Sequence, residues 1–307
     1  MNGTGFRDMK PGALILSTLL LLAIGIQVFA QEGDGVELEP LVLSGDENEY
    51  PLGLHLELLE DPGGELTIED VTSPEYAAQF VPSQVEVPNL GGTYSTYWVR
   101  LRLRNENPAA VRWLLESSFA SLHFVDLYTP LADGDSFEVK QTGAMRPLSS
   151  RDIYHPNIVF DLTIPGESEQ TYYLRIQTGD SMTLPFTLWT PDAFFTNSRR
   201  DQAIHWIFLG IMGSLLIYNL FLLFSLGDES YLYLVLLLAG MTLYDLSHSS
   251  YLEVYIAPNL YQLKQHTIVF SIGFIFMPLI LFNESFLSVK TLFPKMRRVN
   301  VALLVIW

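Results

Sequence analysis

The chain has 307 residues, and its 17 Lys and Arg against 34 Asp and Glu give a formal net charge of −17. Such an acidic chain is a poor partner for nucleic acid, because a phosphate backbone is bound by cationic side chains. The absence of cysteine excludes disulfide bonds and a lipid anchor on an amino-terminal cysteine. Near Ala203 the hydropathy changes from an acidic segment to apolar runs long enough to cross a membrane.

Residues 1–30 have the pattern of a secretory signal. Two basic residues, Arg7 and Lys10, precede an apolar run that ends in Val28-Phe29-Ala30. A positive start, an apolar centre and a small-residue end together predict a signal peptide. The alternative is an uncleaved anchor helix, since the apolar run is about long enough to span a bilayer. Under either interpretation, the chain from Gln31 onward is exported.

Residues 31–200 are predicted to form one exported β-sandwich, and residues 201–307 a membrane region. Apolar residues of the first part recur with period two in short runs bounded by Gly, Pro, Asp and Asn, which is typical of half-buried strands. The predicted strands are Leu52–Leu59, Trp98–Leu103, Val111–Glu116, Phe124–Tyr128, Asn157–Ile164, Thr171–Gln177 and Leu184–Trp189.

The segment 98–104 has the sharpest strand pattern. Alternation places its three aliphatic residues on one face and Trp98 on the other, together with Arg100 and two further arginines. Guanidinium groups could bind an anionic or hydroxyl-rich ligand, and the indole could stack on a sugar ring. The favoured alternative is that these arginines neutralise acidic neighbouring strands.

A polar loop from Arg146 to Pro156 joins two predicted strands and contains Arg151, Tyr154 and His155. Loops of this kind often carry binding residues. Arg151 could instead order the loop, and an isolated histidine beside proline is more often a surface residue than a metal ligand. No second histidine stands at metal-ligand spacing, so no metal site and no cofactor are predicted.

Calcium is a minor alternative for the acidic segment. The nearest approach to a calcium loop is Asp133-Gly134-Asp135, which more closely fits a hairpin turn. Catalytic signatures such as Gly-x-Ser-x-Gly, a phosphate loop or His-Glu-x-x-His do not occur. The chain is therefore not expected to be an enzyme over these residues.

Three membrane spans are predicted at about 204–226, 231–250 and 267–287, and a fourth begins near Asn300. Four basic residues follow Ser288, whereas the loop from Ser250 to His266 has only one lysine, so that loop should face outward. The last apolar run is too short to cross a bilayer, so the sequence is expected to be the amino-terminal portion of a longer protein.

Polar positions in the spans are Asn219, Asp245 and Glu284. Ionisable groups inside a membrane are candidates for function. Asp245 and Glu284 fall near span ends, where contact with interfacial water is the favoured interpretation. Asn219 lies deeper and is expected to hydrogen-bond a neighbouring helix.

Several segments resemble one family, the bacterial seven-transmembrane receptors with diverse intracellular signalling modules (7TMR-DISM). They include 92–101 (GTYSTYWVRL), 113–116 (WLLE), 125–128 (VDLY), 173–175 (YLR), 188–191 (LWTP), 218–222 (YNLFL), 228–233 (DESYLY) and 286–290 (FLSVK). The resemblance implies a jelly-roll-like sandwich similar to carbohydrate-binding modules, a seven-helix bundle, and a cytoplasmic kinase, cyclase or phosphatase module. The sequence departs from the pattern at Ser250, where the resemblance leads us to expect glycine.

The leading hypothesis is a receptor in a bacterial inner membrane that senses a periplasmic small molecule, such as a saccharide or a carboxylate. Its partners would be this ligand, membrane lipid and a cytoplasmic signalling module in cis or in trans; a homodimer is left open. The alternatives are a transporter or channel-like protein with a solute-capturing outer domain, and an anchored adhesion module. The candidate ligand-binding residues combine stacking rings with hydrogen-bond donors: Trp98, Arg100, Trp113, Arg151, Tyr154 and His155.

Overall fold

The computed structural model describes residues 38–131, 136–286 and 300. Its first part contains short and medium strands that follow one another closely. Within the described residues they are β1 Leu41–Leu43, β2 Glu49–Pro51, β3 Leu56–Asp61, β4 Val81–Pro82, β5 Asn89–Gly92, β6 Thr96–Asn105, β7 Val111–Ser117, β8 Phe124–Pro130, β9 Phe137–Thr142, β10 Ile158–Ile164, β11 Ser168–Gln177, β12 Ser181–Thr183 and β13 Phe186–Trp189.

These strands form the two facing sheets of a β-sandwich, which confirms the predicted fold class. The larger sheet has the order β4-β3-β6-β11-β8-β9, and β1 pairs with β6 in parallel. The smaller sheet has the order β10-β7-β13-β2 and is antiparallel. β5 and β12 form a separate two-stranded ribbon. The main apolar core includes inward-facing residues of both sheets, such as Leu101 and Leu115.

Alternation along β6 has the predicted consequence. Val99, Leu101 and Leu103 lie in the main core, while Trp98 lies in a second apolar cluster on the opposite face of the sheet. Two short helices, α1 Ile68–Thr72 and α2 Pro74–Ala77, contribute residues to that second cluster. Both faces of this strand are therefore covered.

The predicted strand Leu52–Leu59 differs from the observed structure at its beginning. A 3-10 turn, Gly53–His55, precedes β3, which starts at Leu56. Gly53 packs against the backbone of Glu86, and a Cβ atom on this residue would lie 1.8 Å from the Glu86 carbonyl oxygen. Glycine allows this close approach of two backbone segments.

Three helices are long and apolar enough to cross a membrane. They are α3 Pro191–Leu226, α4 Glu229–His248 and α5 Lys264–Phe286. α3 begins well before the predicted span because Pro191 and Asp192 supply helix-start signals. Gly227, with φ of 67°, ends α3, and the side chain of Asp228 accepts a hydrogen bond from Ser230 N to begin α4.

Two of the three polar positions in the spans, Asn219 and Asp245, have local partners. Asn219 donates its amide to Leu215 O of the same helix at 2.8 Å, so the expected bond to a neighbouring helix is replaced by one within α3. Asp245 Oδ2 lies 3.2 Å from His205 Nε2, which joins α4 to α3. The predicted signal segment, the turn at Asp133-Gly134-Asp135, the basic loop after Ser288 and the fourth span lie outside the described residues.

Candidate functional site

The first turns of α3 pack on the outer face of the smaller sheet. Phe194 lies in an apolar cluster with Leu114 of β7 and Val159 of β10. Because a buried phenylalanine contributes roughly 1.5–3 kcal/mol by its removal from water, this contact fixes the start of α3 on the sandwich. The first helix long and apolar enough to cross a membrane thus begins on the smaller sheet.

His155 adds a polar contact beside this cluster. It is 8% exposed, so the expectation that it lies on the surface is wrong. Its Nδ1 accepts a hydrogen bond from Asn157 N at 3.1 Å, which leaves Nε2 to donate to Ser198 Oγ of α3 at 2.8 Å. Burial, followed by the charge of Arg151, lowers the pKa of His155 to about 4. The imidazole is therefore neutral around pH 7 and joins the loop to α3.

A second set of contacts joins the sandwich to the segment between α4 and α5. Lys264 Nζ donates to Ala120 O at 3.1 Å and to Ser250 Oγ at 2.5 Å. Ser250 has a φ of 61°, in the left-handed region that favours glycine. This is the position where the family resemblance leads us to expect glycine. The serine adopts the conformation of a glycine and adds a hydroxyl that contacts the sandwich and α5.

The same segment carries a buried acid. A π-helical turn, Leu252–Ile256, follows α4, and Glu253 within it is 5% exposed. Burial raises the pKa of Glu253, whereas the positive charges of Lys264 and Arg151 act in the opposite direction. The loop beyond Ser250, which we predicted to face outward, thus lies against the β-sandwich.

A cavity of about 300 Å³ lies where the sandwich meets these helices. We call it the junction cavity. Its walls come from β7 and the loop after it, from the loop that contains His155, from α3 and from the end of α4. The described residues that line it are Glu116, Ser118, Phe119, Ala120, Ser121, His155, Pro156, Asn157, Phe194, Asn197, Ser198, Asp201, Gln202, His205, His248, Ser249 and Tyr251.

The lining combines acids, amides, imidazoles and aromatic rings. Glu116 accepts a hydrogen bond from Asn157 Nδ2 at 2.7 Å, and Gln202 Nε2 donates to Ser198 Oγ at 3.0 Å. Tyr251 packs on His205 with ring centroids 3.8 Å apart. Rings beside paired hydrogen-bonding groups are the surroundings in which polar small molecules bind.

The six predicted site residues do not come together. Trp98 and Trp113 are buried in two separate apolar clusters. Arg100 is bound through its Nε to Glu57 Oε2 at 2.8 Å and through Nη2 to Oε1 at 2.9 Å. The arginines of β6 thus neutralise acids on neighbouring strands, in agreement with the interpretation that we favour from the sequence.

Arg151, Tyr154 and His155 do lie together at the junction. Arg151 Nη1 donates to the carbonyl oxygens of His155 and Pro156, so the guanidinium orders its own loop. Burial lowers the pKa of Arg151 to about 10, so it stays protonated near pH 7. Tyr154 Oη donates to Val254 O at 2.6 Å, which links this loop to the π-helical turn.

Sequence reasoning did not identify Glu116, Ser198, Asp201 or Glu253 as site residues. No spacing pattern of a binding site marks them, although Glu116 ends the segment WLLE that carries part of the family resemblance. The polar loop from Arg146 to Pro156 and the departure at Ser250 are the signals in the sequence that point to this region.

The fold and the junction define a class: a membrane protein whose outer β-sandwich packs on the ends of apolar helices. Residues 53–190 match the family description "7TMR-DISM extracellular 2", and residues 201–307 match "7TM diverse intracellular signalling". The chain belongs to the 7TMR-DISM family of membrane receptors, as its motifs predicted.

No curated protein matches the chain. Among solved structures, the insecticidal crystal protein Cry2Aa is matched at 10% sequence identity and a TM-score of 0.19, over 34% of this chain and 18% of that one. A similarity of this size carries no argument about fold or function.

Proposed function

We propose that the chain senses a hydroxyl-rich small molecule, of the saccharide class, in its junction cavity, and relays binding through its helices to a cytoplasmic signalling module. The membrane would be the bacterial inner membrane, with the sandwich in the periplasm. The module would be a kinase, cyclase or phosphatase, attached to the same chain or recruited in trans.

One observation carries this proposal: the junction cavity has walls from both the sandwich and the helices. Glu116 belongs to β7, whereas Gln202 belongs to α3 and His248 to α4. A ligand that fills the space contacts both parts, so its affinity depends on how they are packed. Such a differential affinity is what shifts the equilibrium between two packings of a receptor.

The lining favours a hydroxyl-rich ligand over a carboxylate. No lysine or arginine stands among the described residues that line the cavity. Arg151, four residues before the lining residue His155, donates to backbone carbonyls of its own loop. Carboxylates, amides and imidazoles pair with sugar hydroxyls, and the aromatic residues Phe119 and Tyr251 also line the cavity.

Thermal unfolding of the full chain in lipid nanodiscs, with and without a panel of saccharides, tests this function. We expect at least one saccharide to raise the melting temperature, because a ligand that binds the folded state stabilises it. Gln202→Ala should abolish this shift, because it removes a polar group from the cavity wall. Gln84→Ala, on an exposed turn of the sandwich, is the matched control and should leave the shift unchanged. Equal shifts in both variants, or no shift with any saccharide, would contradict the proposal.

A further inference from the structure

Two carboxylates from different parts of the molecule face the junction cavity. Glu116 extends from β7 and is 8% exposed, while Asp201 extends from α3 and accepts a hydrogen bond from Asn197 Nδ2 at 3.2 Å. Two arginines on the same helix, Arg199 and Arg200, are exposed and are not among the described residues that line the cavity. The acids therefore share this space without a lysine or arginine from its described walls.

The two acids repel each other across the cavity. Burial raises the pKa of Glu116, the hydrogen bond from Asn157 opposes this, and the charge of Asp201 raises it further. His155 lies on the same wall in its neutral form, because its Nδ1 accepts the Asn157 N–H. A positive charge placed between the acids would replace repulsion with two attractions.

The remaining walls suit an organic cation. Phe119, Phe194 and Tyr251 line the cavity, and the faces of aromatic rings attract cations by roughly 0.5–2 kcal/mol. No group of three or more His, Asp or Glu side chains among the described residues is arranged to hold a metal ion. The volume of about 300 Å³ is at the lower end of ligand pockets, which suits a small molecule.

We propose that the junction cavity binds a hydroxylated amine of the amino-sugar class, with its ammonium group between Glu116 and Asp201. This inference rests on the proposed function and names the ligand's charge. It also supplies a mechanism, because an ammonium group held by both carboxylates joins β7 to α3. Binding then draws α3 toward the smaller sheet. A positively charged ligand therefore stabilises the packing in which α3 and this sheet are closer together.

Three closely related sugars separate charge from shape: D-glucosamine, D-glucose and N-acetyl-D-glucosamine. Their affinities are measured by calorimetry near neutral pH on the full chain in nanodiscs. We expect glucosamine to bind at least ten-fold more tightly than the two neutral sugars. Asp201→Asn and Glu116→Gln should each remove this preference. Asp192→Asn, on the exposed first turn of α3, is the matched control and should keep it.

Each result of this experiment separates the inference from the proposed function. Glucose bound as tightly as glucosamine overturns the amine inference and leaves the saccharide function intact. Ethanolamine bound as tightly as glucosamine, with the same dependence on Asp201, keeps the ammonium site but overturns both the amino-sugar class and the saccharide function. Calcium bound in place of all amines overturns the inference, and so does glucosamine binding that survives both substitutions. Melting curves of the free variants verify that each one folds.

Discussion

Acidification should loosen the junction through His155. The native hydrogen bonds fix this imidazole as neutral, since Nδ1 accepts from Asn157 N while Nε2 donates to Ser198 Oγ. A second proton on Nδ1 would face the Asn157 N–H and break that bond. Burial and the neighbouring Arg151 charge lower the folded-state pKa to about 4 from 6.5.

The sign of the effect follows from proton binding. Below pH 6.5 the unfolded chain protonates this histidine, whereas the folded chain stays neutral until about pH 4. Stability contributed by the neutral ring is therefore fully present above pH 6.5 and declines as the pH falls toward 4. This difference between the unfolded-state and folded-state pKa values corresponds to about 3 kcal/mol of unfolding free energy at most, at 1.36 kcal/mol for each pKa unit.

The assay is denaturant unfolding of the full chain in nanodiscs, followed by tryptophan fluorescence between pH 8 and pH 4. His155→Gln removes the titrating group, and His266→Gln, at an exposed position of α5, is the control. Glu253 and Glu116 have raised pKa values and change stability in the opposite direction, so the comparison is between variants at each pH. We expect the free energy of unfolding to fall less between pH 8 and pH 4 in His155→Gln than in the wild type. The difference should be about 3 kcal/mol at most. Parallel curves for wild type and His155→Gln would refute the reasoning.

Three further predictions concern stability. Glu57→Gln should destabilise the chain by about 3–5 kcal/mol in denaturant unfolding, because it leaves the buried Arg100 without its carboxylate; a loss below about 1 kcal/mol would show that solvent replaces the pair. Trp113→Ala should cost about 3–5 kcal/mol by the same measurement, since it opens a cavity in the main core, and a stable variant would contradict the packing. Gly240→Val should disrupt the contact between α4 and α5, because a Cβ atom would lie 2.7 Å from Phe274 O; an unchanged melting temperature in nanodiscs would show that the helices are not packed this closely.

Local pattern was sufficient to predict the sandwich. In β6 the period-two alternation assigned each residue to the correct face, because a strand turns successive side chains to opposite sides whatever its neighbours are. The partner of Arg100 could not be read in the same way. It depends on β3 lying beside β6 in a register that places Glu57 opposite Arg100, and register is a property of the assembled sheet.

The junction was harder to predict because its residues meet only when the helices dock. His155 and Ser198 are 43 residues apart, and Ala120 and Lys264 are 144 apart. Neither pair has a spacing signal, so the histidine was interpreted as a surface residue. Membrane-crossing helices were predicted from hydropathy alone. The first turns of α3 precede the apolar run, and their position depends on the packing of Phe194 against the smaller sheet, which hydropathy does not indicate.

The covered faces of the sandwich explain why a signal would pass through the junction. Trp98 lies beneath the short helices on the larger sheet, and Leu114 on the outer face of the smaller sheet packs against Phe194. A ligand placed where these residues pack would have to displace them, at a cost of several kcal/mol. The junction cavity needs no such opening, and its walls include α3 itself. Because a helix of 36 residues is about 54 Å long and stiff, a shift of its first turns against β7 moves the part that crosses the membrane.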